Sequence, residues 1–241
     1  KAQTPSHIYS RISPFSPEGR RWVGDLFEDL AKYCAFDGIL FHDDGILSDF
    51  EDVSPEALAF THNVWGLPDS FQALHSTPAM RLKWAKRKTE LMTQFTDYLT
   101  ERAKLFRPYL RTSRNLYALP ILNPESEEWY GQSLKAFLEH YDYVAVEAMP
   151  FMEKAAQPEA WLKQLVAKVG TYPDGLRKTV FELQPVDWNT QKPVPMDVFT
   201  RQIALLKQGG VKHFGYYPDN VYADQPSLEV LKKHFAVKAT H

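Results

Sequence analysis

The sequence has one cysteine, no long apolar run and no excess of charge of either sign. Cys34 is alone among 241 residues and cannot form an internal disulfide, and its place in a helical pattern predicts a buried structural thiol. No segment approaches the ~18 apolar residues of a membrane span. The net charge is −2, which argues against a nucleic-acid partner because phosphate binding needs clustered Lys and Arg.

Several catalytic motifs are also absent. The sequence has neither a Walker loop nor a dinucleotide glycine motif, so it does not look like a nucleotide-binding protein. It has no GxSxG elbow, and a cysteine inside a helix is a poor nucleophile. Aromatic residues are abundant instead, with 6 Trp, 12 Tyr and 15 Phe. This suits sugar binding, because the apolar face of a pyranose stacks on an aromatic ring.

Short apolar runs alternate with helical patterns along the chain. Strands are predicted at 38–42, 110–116, 143–149, 179–184 and 212–217, and helices at 16–33, 55–65, 80–106, 125–141, 161–169, 198–208 and 227–235. This alternation predicts an α/β fold with a parallel sheet. Two architectures fit: an open doubly wound sheet, or part of a (β/α) barrel whose first strands are missing. Polar or aromatic residues at nearly every strand end favour the rim of a barrel.

The first predicted strand ends in a cluster of ionisable residues. His42, Asp43 and Asp44 follow its apolar part, and a second acidic stretch, here called the acidic loop, spans residues 48–52. Such clustering costs repulsion and desolvation, and is usually tolerated where it serves chemistry or binding. Glycoside hydrolysis needs two carboxyl groups beside the scissile bond, so Asp43, Asp44 and Asp49 are the catalytic candidates.

These acids could instead be structural or could bind a metal. Ser48 and Glu51 have the spacing of a helix capping box, which would make the acidic loop structural. His42 and the aspartates are also suitable metal ligands, but no second histidine cluster supports a metal site. We therefore predict neither a metal nor a cofactor.

Polar and aromatic side chains near the other strand ends are candidate substrate contacts, together with His42. They are Arg114, Asn115, Glu147, Glu182, Gln184, Trp188, Tyr216, Tyr217 and Asn220. Each has a structural alternative: a turn for the amides, packing at the rim for the tyrosines, and for the glutamates a buried ion pair, for example with Arg114. Several aromatic residues at strand ends favour a saccharide ligand over these alternatives taken singly.

Three longer motifs and several shorter ones carry a resemblance to a known family. The longer ones are Phe36-Asp37-Gly38-Ile39-Leu40-Phe41-His42-Asp43-Asp44, Leu47-Ser48-Asp49-Phe50-Glu51-Asp52 and Gly215-Tyr216-Tyr217-Pro218-Asp219-Asn220. The shorter ones are Ser13-Pro14-Phe15, Arg114-Asn115, Ala118-Leu119-Pro120, Pro124-Glu125-Ser126, Ala148-Met149-Pro150 and Glu182-Leu183-Gln184. Together they resemble the C-terminal domain of the poly-β-1,6-N-acetylglucosamine N-deacetylases of Gram-negative biofilm systems.

This resemblance implies a TIM-like (β/α) barrel and endo-hydrolysis of β-1,6 linkages in partly deacetylated poly-N-acetylglucosamine. The family's acidic residues map onto Asp43, Asp44 and Asp49, and its groove aromatics onto Trp188, Tyr216 and Tyr217. We expect Asp44 and Asp49 to share the acid and the nucleophile or stabiliser roles, with Asp43 tuning a neighbour. Assistance by the substrate's N-acetyl group stays open.

The resemblance also sets the expected context. We expect residues 1–241 to form one domain of about five βα units, with the barrel's first strands and the N-terminal deacetylase domain absent. Those absent parts are the expected protein partners. The family implies a periplasmic location, with tethering to the outer membrane through an N-terminal part. The alternative function is a non-catalytic module that holds polymer for a separate deacetylase domain.

Overall fold

The computed structural model of the protein describes residues 12–235, which divide into two units. The first comprises residues 12–37, 45–110 and 127–131 and is helical. The second comprises residues 38–44, 111–126 and 132–235 and holds all the strands that the described residues form.

The strands of the second unit form a parallel sheet and a small hairpin. They are β1 (Gly38–Phe41), β2 (Arg111–Leu116), β3 (Tyr143–Glu147), β4 (Thr179–Leu183), β5 (Val186–Asp187), β6 (Lys192–Pro193) and β7 (His213–Tyr216). The sheet has the order β1-β2-β3-β4-β7 with every pair parallel, and β5 pairs with β6 antiparallel. The predicted α/β fold is confirmed. Within the described residues the sheet stays open, with β1 and β7 at its edges.

The helices follow in chain order. They are α1 (Pro17–Tyr33), α2 (Pro55–Asn63), α3 (Phe71–Leu74), α4 (Pro78–Lys104), α5 (Leu119–Leu122), α6 (Glu127–Tyr130), α7 (Leu134–His140), α8 (Pro158–Gly170), α9 (Gly175–Lys178), α10 (Met196–Gln208) and α11 (Leu228–His234). Short 3₁₀ turns lie at Pro124–Ser126 and Val221–Ala223. Helices α1, α2 and α4 begin alike: Ser16, Ser54 and Thr77 each accept a bond from a backbone amide of the first turn, and proline follows.

Helices α1 and α4 pack against each other in the first unit. Gly24 of α1 makes the approach possible, because a Cβ atom there would come within 2.5 Å of the Tyr98 hydroxyl. Two apolar clusters complete this core. One contains Phe15, Leu47, Ala57, Leu91 and Met92, and the other Leu67, Leu74 and Trp84.

The register of the parallel strands decides which side chains share a face. Asn115 lies opposite Ala145, and Glu147 lies opposite Glu182. Because side chains alternate along a strand, Asn115, Glu147 and Glu182 project from the same face. Arg114, one residue before Asn115, therefore projects from the opposite face. The first of these faces carries the polar groups described in the next section.

Three details correct the sequence-based expectations. Apolar residues spaced along α1, which its helical pattern led us to expect on a buried face, are exposed, with Trp22 and Leu26 each 65% accessible. Cys34 is exposed and not buried, because α1 ends at Tyr33 and Cys34 adopts an extended C-cap conformation. The single helix predicted at 125–141 is broken at Gly131, whose φ is +58°.

None of the helices among residues 12–235 is both long enough and apolar enough to cross a membrane.

Candidate active site

The carboxyl end of β1 brings two aspartates and a histidine together. His42 Nδ1 lies 2.5 Å from Asp43 Oδ1 and 3.4 Å from Asp44 Oδ2. Asp43 is largely buried, with 16% of its side chain accessible, whereas Asp44 is exposed. The Tyr117 hydroxyl, just beyond β2, donates to Asp43 Oδ2 at 2.8 Å. Asp43 is thus held by two side chains while Asp44 faces solvent.

Glu147, the last residue of β3, forms a carboxyl pair with Asp43. The two side chains are hydrogen-bonded, and Glu147 is 6% accessible. Burial raises the pKa of Glu147 to about 9, helped by the charge and hydrogen bond of Asp43 and by the charges of Glu182 and Glu153. A hydrogen bond between two carboxyl groups requires a proton between them, and this pKa places it on Glu147 at neutral pH.

Glu182 is the third carboxyl group of this face. Its burial raises its pKa, while a hydrogen bond from Asn115 Nδ2 to Glu182 Oε2, at 2.8 Å, opposes that rise. Within the described part of the chain, the buried Asn115 Oδ1 has no hydrogen-bond partner. Asn115 therefore orients Glu182 with its amide nitrogen and leaves an acceptor inside the site.

Two residues of this site were absent from the sequence-based prediction. Tyr117 is two positions after Asn115, so the two-residue period of a strand places it on the same face. Burial raises the pKa of Tyr117, and its bond to Asp43 adds to that rise, so its hydroxyl keeps its proton. Glu153, whose pKa burial also raises, lies between β3 and α8. Its sequence context gives no periodic pattern that could have indicated it.

An aromatic pair lies at the same end of the sheet. Trp188, between β5 and β6, and Tyr217, just after β7, have ring centroids 5.9 Å apart and planes inclined by 35°. The Tyr217 amide continues the ladder by donating to Leu183 O at 3.0 Å, and 54% of the residue is exposed. Tyr216 points the other way and packs on Phe235, with centroids 5.2 Å apart. Trp188 and Tyr217 are thus the candidate stacking surface, and Tyr216 lies outside it.

Two residues predicted to contact substrate instead form hydrogen bonds with the backbone of neighbouring loops. Gln184 is fully buried, and its Oε1 accepts bonds from the amides of Phe151 and Met152, both at 2.9 Å. Asn220 Oδ1 accepts the amide of Ala223 at 3.1 Å and so caps a 3₁₀ turn. We therefore assign both amides to loop structure in place of the predicted direct contact with substrate.

Arg114 is not placed as the sequence suggested. Its guanidinium lies over the ring of Phe137, 5.6 Å from the centroid, on the face opposite Asn115. Burial lowers its pKa, against the opposing influence of Tyr141 and Asp43. The charged groups that shift the pKa of Glu147 are all carboxyl groups. Glu147 is therefore paired with a carboxyl group, and not with Arg114 as the structural alternative would have it.

Asp49 belongs to the first unit, within the acidic loop. The Ser48 amide and hydroxyl both donate to Glu51 Oε2, at 3.1 and 2.9 Å. This side-chain contact has the spacing of a capping box, but the residues between Ser48 and Glu51 form a turn and not the start of a helix. Helix α2 begins only at Pro55. Ser48 and Glu51 therefore close a turn and do not cap a helix. The catalytic role of Asp49 stays a prediction.

One group of residues could hold a metal ion. His42, Asp43 and Asp44 each offer one ligand atom, and these atoms lie within 4.8 Å of one another. One imidazole and two carboxylates suit several divalent cations. The prediction of a metal-free site stays a prediction.

Comparisons with known proteins agree with this architecture. The sequence matches hypothetical glycosyl hydrolase family 13 over residues 1–217. The poly-beta-1,6-N-acetyl-D-glucosamine N-deacetylases of Escherichia coli K12 and O157:H7 are both 39% identical to it over 242 residues. These alignments cover 98% of this chain but 36% of each relative, so the chain spans about a third of their length.

A solved structure has the same fold as this chain. The PgaB (BpsB) glycoside hydrolase domain from Bordetella bronchiseptica is 43% identical and matches with a TM-score of 0.91. The match covers 98% of this chain and 68% of that chain. The resemblance inferred from the motifs is confirmed, and the chain belongs to hypothetical glycosyl hydrolase family 13.

Proposed function

We propose that the chain is an endo-glycoside hydrolase that cleaves β-1,6 linkages in partly deacetylated poly-N-acetylglucosamine. The observation that carries the proposal is the carboxyl pair of Asp43 and Glu147 at the strand ends. A glycosidase needs one carboxyl group that stays protonated at neutral pH beside one that is ionised. The choice of polymer rests on the relatives, whose names specify it.

Glu147 is the general acid in this proposal. With a pKa of about 9 it holds its proton at neutral pH and can give it to the glycosidic oxygen. Asp43, positioned by Tyr117 and His42, supplies the negative charge that stabilises an oxocarbenium-like transition state. Glu147 and Asp43 thus take the acid and stabiliser roles that were expected of Asp44 and Asp49, and a contribution of those two aspartates to catalysis stays a prediction.

The closeness of the pair favours assistance by the substrate. In retaining enzymes with their own nucleophile, the two carboxyl groups stand ~5–5.5 Å apart. Asp43 and Glu147 lie within hydrogen-bonding reach of each other, which is closer than that spacing. We propose that an N-acetyl oxygen attacks the anomeric carbon as the glycosidic bond breaks and Glu147 protonates the leaving oxygen, while Asp43 orients the amide. Water, giving its proton back to Glu147, then opens the oxazolinium ion that has formed. The linkage cleaved then follows an acetylated residue.

The surroundings suit a sugar polymer with free amines. Trp188 and Tyr217 provide a stacking surface for pyranose rings. Asp44, Glu153 and Glu182 add carboxyl groups at the same end of the sheet, and negative charge there attracts the ammonium groups of glucosamine.

A non-catalytic polymer-binding module is the second candidate. The relatives are named as deacetylases and are about three times as long as the matched region, since 36% of each is covered. A module serving a separate deacetylase domain would need the aromatic pair and no acid. By analogy with these relatives, we also propose a periplasmic location, tethering to the outer membrane and a deacetylase domain as partner.

Release of reducing ends decides between the two candidates. Partly deacetylated β-1,6 polymer should yield new reducing ends and shorter oligosaccharides when incubated with the protein. Fully deacetylated β-1,6 polymer should resist cleavage, because it lacks the assisting acetamido group. A partly acetylated β-1,4 polymer controls for linkage. Binding of the β-1,6 polymer without release of reducing ends would establish the module and refute the hydrolase.

A further inference from the structure

Lys88, in helix α4, has no exposed surface. Its ammonium donates to the carbonyl oxygen of Ser48 and, at 3.1 Å, to that of Glu51. It also lies 4.0 Å from the centroid of the Trp84 ring. Lysines are almost never fully buried, because removing an ammonium from water is costly. The proposed reaction does not use this group, so its burial has to be explained by what it contacts.

The two acceptors belong to the acidic loop. Ser48 and Glu51 are also bonded to each other, because the Glu51 amide donates to Ser48 O at 3.1 Å and the Glu51 carboxylate accepts from Ser48. The loop is therefore a closed turn whose carbonyls on both sides of Asp49 point at one amine. Moving Lys88 would release the backbone that sets the position of the Asp49 carboxylate.

The charged groups that act most strongly on Lys88 are three carboxylates. Asp49 and Glu51 face it from the acidic loop, and Glu128 faces it from α6, where Arg81 binds that carboxylate at 2.5 Å. Burial outweighs the attraction of these carboxylates and lowers the pKa of Lys88 to about 7. A neutral amine still has two N–H donors, one for each carbonyl, so both loop contacts survive loss of the charge.

We propose that Lys88 is the positioning residue of the acidic loop: its buried amine holds the backbone on both sides of Asp49. The effect on catalysis rests on the proposed function, whereas the hold on the loop does not.

The sign of the pH dependence follows from linkage. Solvent that enters on release returns the pKa of Lys88 from about 7 to its ordinary 10.5. The released loop then binds one more proton than the held loop between these pH values. Raising the pH through that window therefore favours the held loop, by up to about tenfold per pH unit.

Hydrogen exchange of the unmodified protein tests the hold directly. Protection factors of the amides of residues 48–51, corrected for intrinsic exchange, should rise between about pH 7 and pH 9 by roughly ten- to hundredfold. Amides in the middle of α10, in the other unit, serve as the reference. Protection that stays flat over this range would overturn the proposal.

Variants test the positioning role. Lys88→Met keeps the length of the side chain but removes the donors, so loop protection should fall at least tenfold and lose its pH dependence. The matched control is Lys83→Met, at an exposed lysine of the same helix. Lys88→Arg restores donors with a charge that does not titrate, and should recover protection without the pH dependence.

Activity separates a positioning role from a merely structural one. If Asp49 acts in the reaction, Lys88→Met should lower kcat by about 10²-fold, the cost of a small misplacement, with KM little changed. A Lys88→Met protein with the loop protection of Lys83→Met would refute the proposal. Absence of any cleavage by the wild type would count against the proposed function alone, because hydrogen exchange still decides the role of Lys88.

Discussion

Replacing Glu147 by glutamine tests the carboxyl pair through activity and through stability. The amide keeps the size of the side chain and can still donate to Asp43, but it has no proton to give to a leaving group. Loss of a general acid costs typically ~10²–10⁴-fold in rate. We expect kcat to fall within that range while KM for oligosaccharide changes little, because stacking and hydroxyl contacts remain.

The effect on stability comes from the bound proton. Burial raises the pKa of Glu147 to about 9, from 4.5 in the ordinary case, so the folded protein holds a proton that the unfolded chain has lost between these values. The free energy of unfolding should therefore fall as pH rises through this window, by up to ~1.4 kcal/mol per pH unit. From about pH 5 to about pH 8 the upper limit is ~4 kcal/mol.

Urea unfolding at several pH values measures this slope. The Glu147→Gln protein should lose this pH dependence, and it should be the more stable of the two proteins at neutral and higher pH. Glu139→Gln is the matched control, because Glu139 lies in the same unit with 61% of its side chain exposed. Equal slopes in all three proteins, or full turnover by Glu147→Gln, would refute the carboxyl pair.

Three further predictions concern the rest of the site. Trp188→Ala or Tyr217→Ala should each weaken oligosaccharide affinity by ~1–3 kcal/mol in calorimetry, the usual cost of truncating a stacking residue. Asp44→Asn and Asp49→Asn should each lower kcat by at least ~10²-fold in a reducing-end assay while binding is kept. Tyr117→Phe removes a hydroxyl that donates to the carboxyl pair, which should cost ~1.5–3 kcal/mol of transition-state stabilisation in kcat/KM and shift the pH–rate profile.

Each of these has a control on the chain itself. Tyr222→Ala removes a fully exposed ring of the second unit and should leave affinity unchanged. An Asn variant with full turnover would remove its aspartate from the mechanism. If Tyr117→Phe shifts the pH–rate profile equally with and without Asp43→Asn, the hydroxyl does not act through that carboxyl group.

The fold was largely predictable because most strands of the sheet are short, mainly apolar runs between turns. Strand β3 was predicted at 143–149 and spans Tyr143–Glu147, and the helix predicted at 16–33 spans Pro17–Tyr33. The helix predicted at 125–141 failed where Gly131 takes a positive φ, which the apolar pattern does not encode. The hairpin of β5 and β6 was also missed, because two-residue strands leave no periodic pattern.

Sequence indicated most of the residues of the site but not which of them contact each other. Sequence placed Asp43 and Glu147 at strand ends, yet β2 lies between their strands, so their contact depends on side-chain reach across the sheet. The alternation within β2 could have excluded an Arg114 ion pair, because consecutive residues face opposite sides. The burial that raises the pKa of Glu147 depends on the packing of the whole unit, so no local sequence pattern indicates it.

Strand β1 has a consequence for handling the protein. Within the described residues it pairs on one side only, and its sequence Gly38-Ile39-Leu40-Phe41 carries neither charge nor proline. Leu40 is 48% exposed on this edge. Natural edge strands are usually blunted by lysine, proline or a bulge, because an unprotected edge recruits strands from other molecules. Leu40→Lys adds such a charge to this strand and should therefore raise the solubility of the protein.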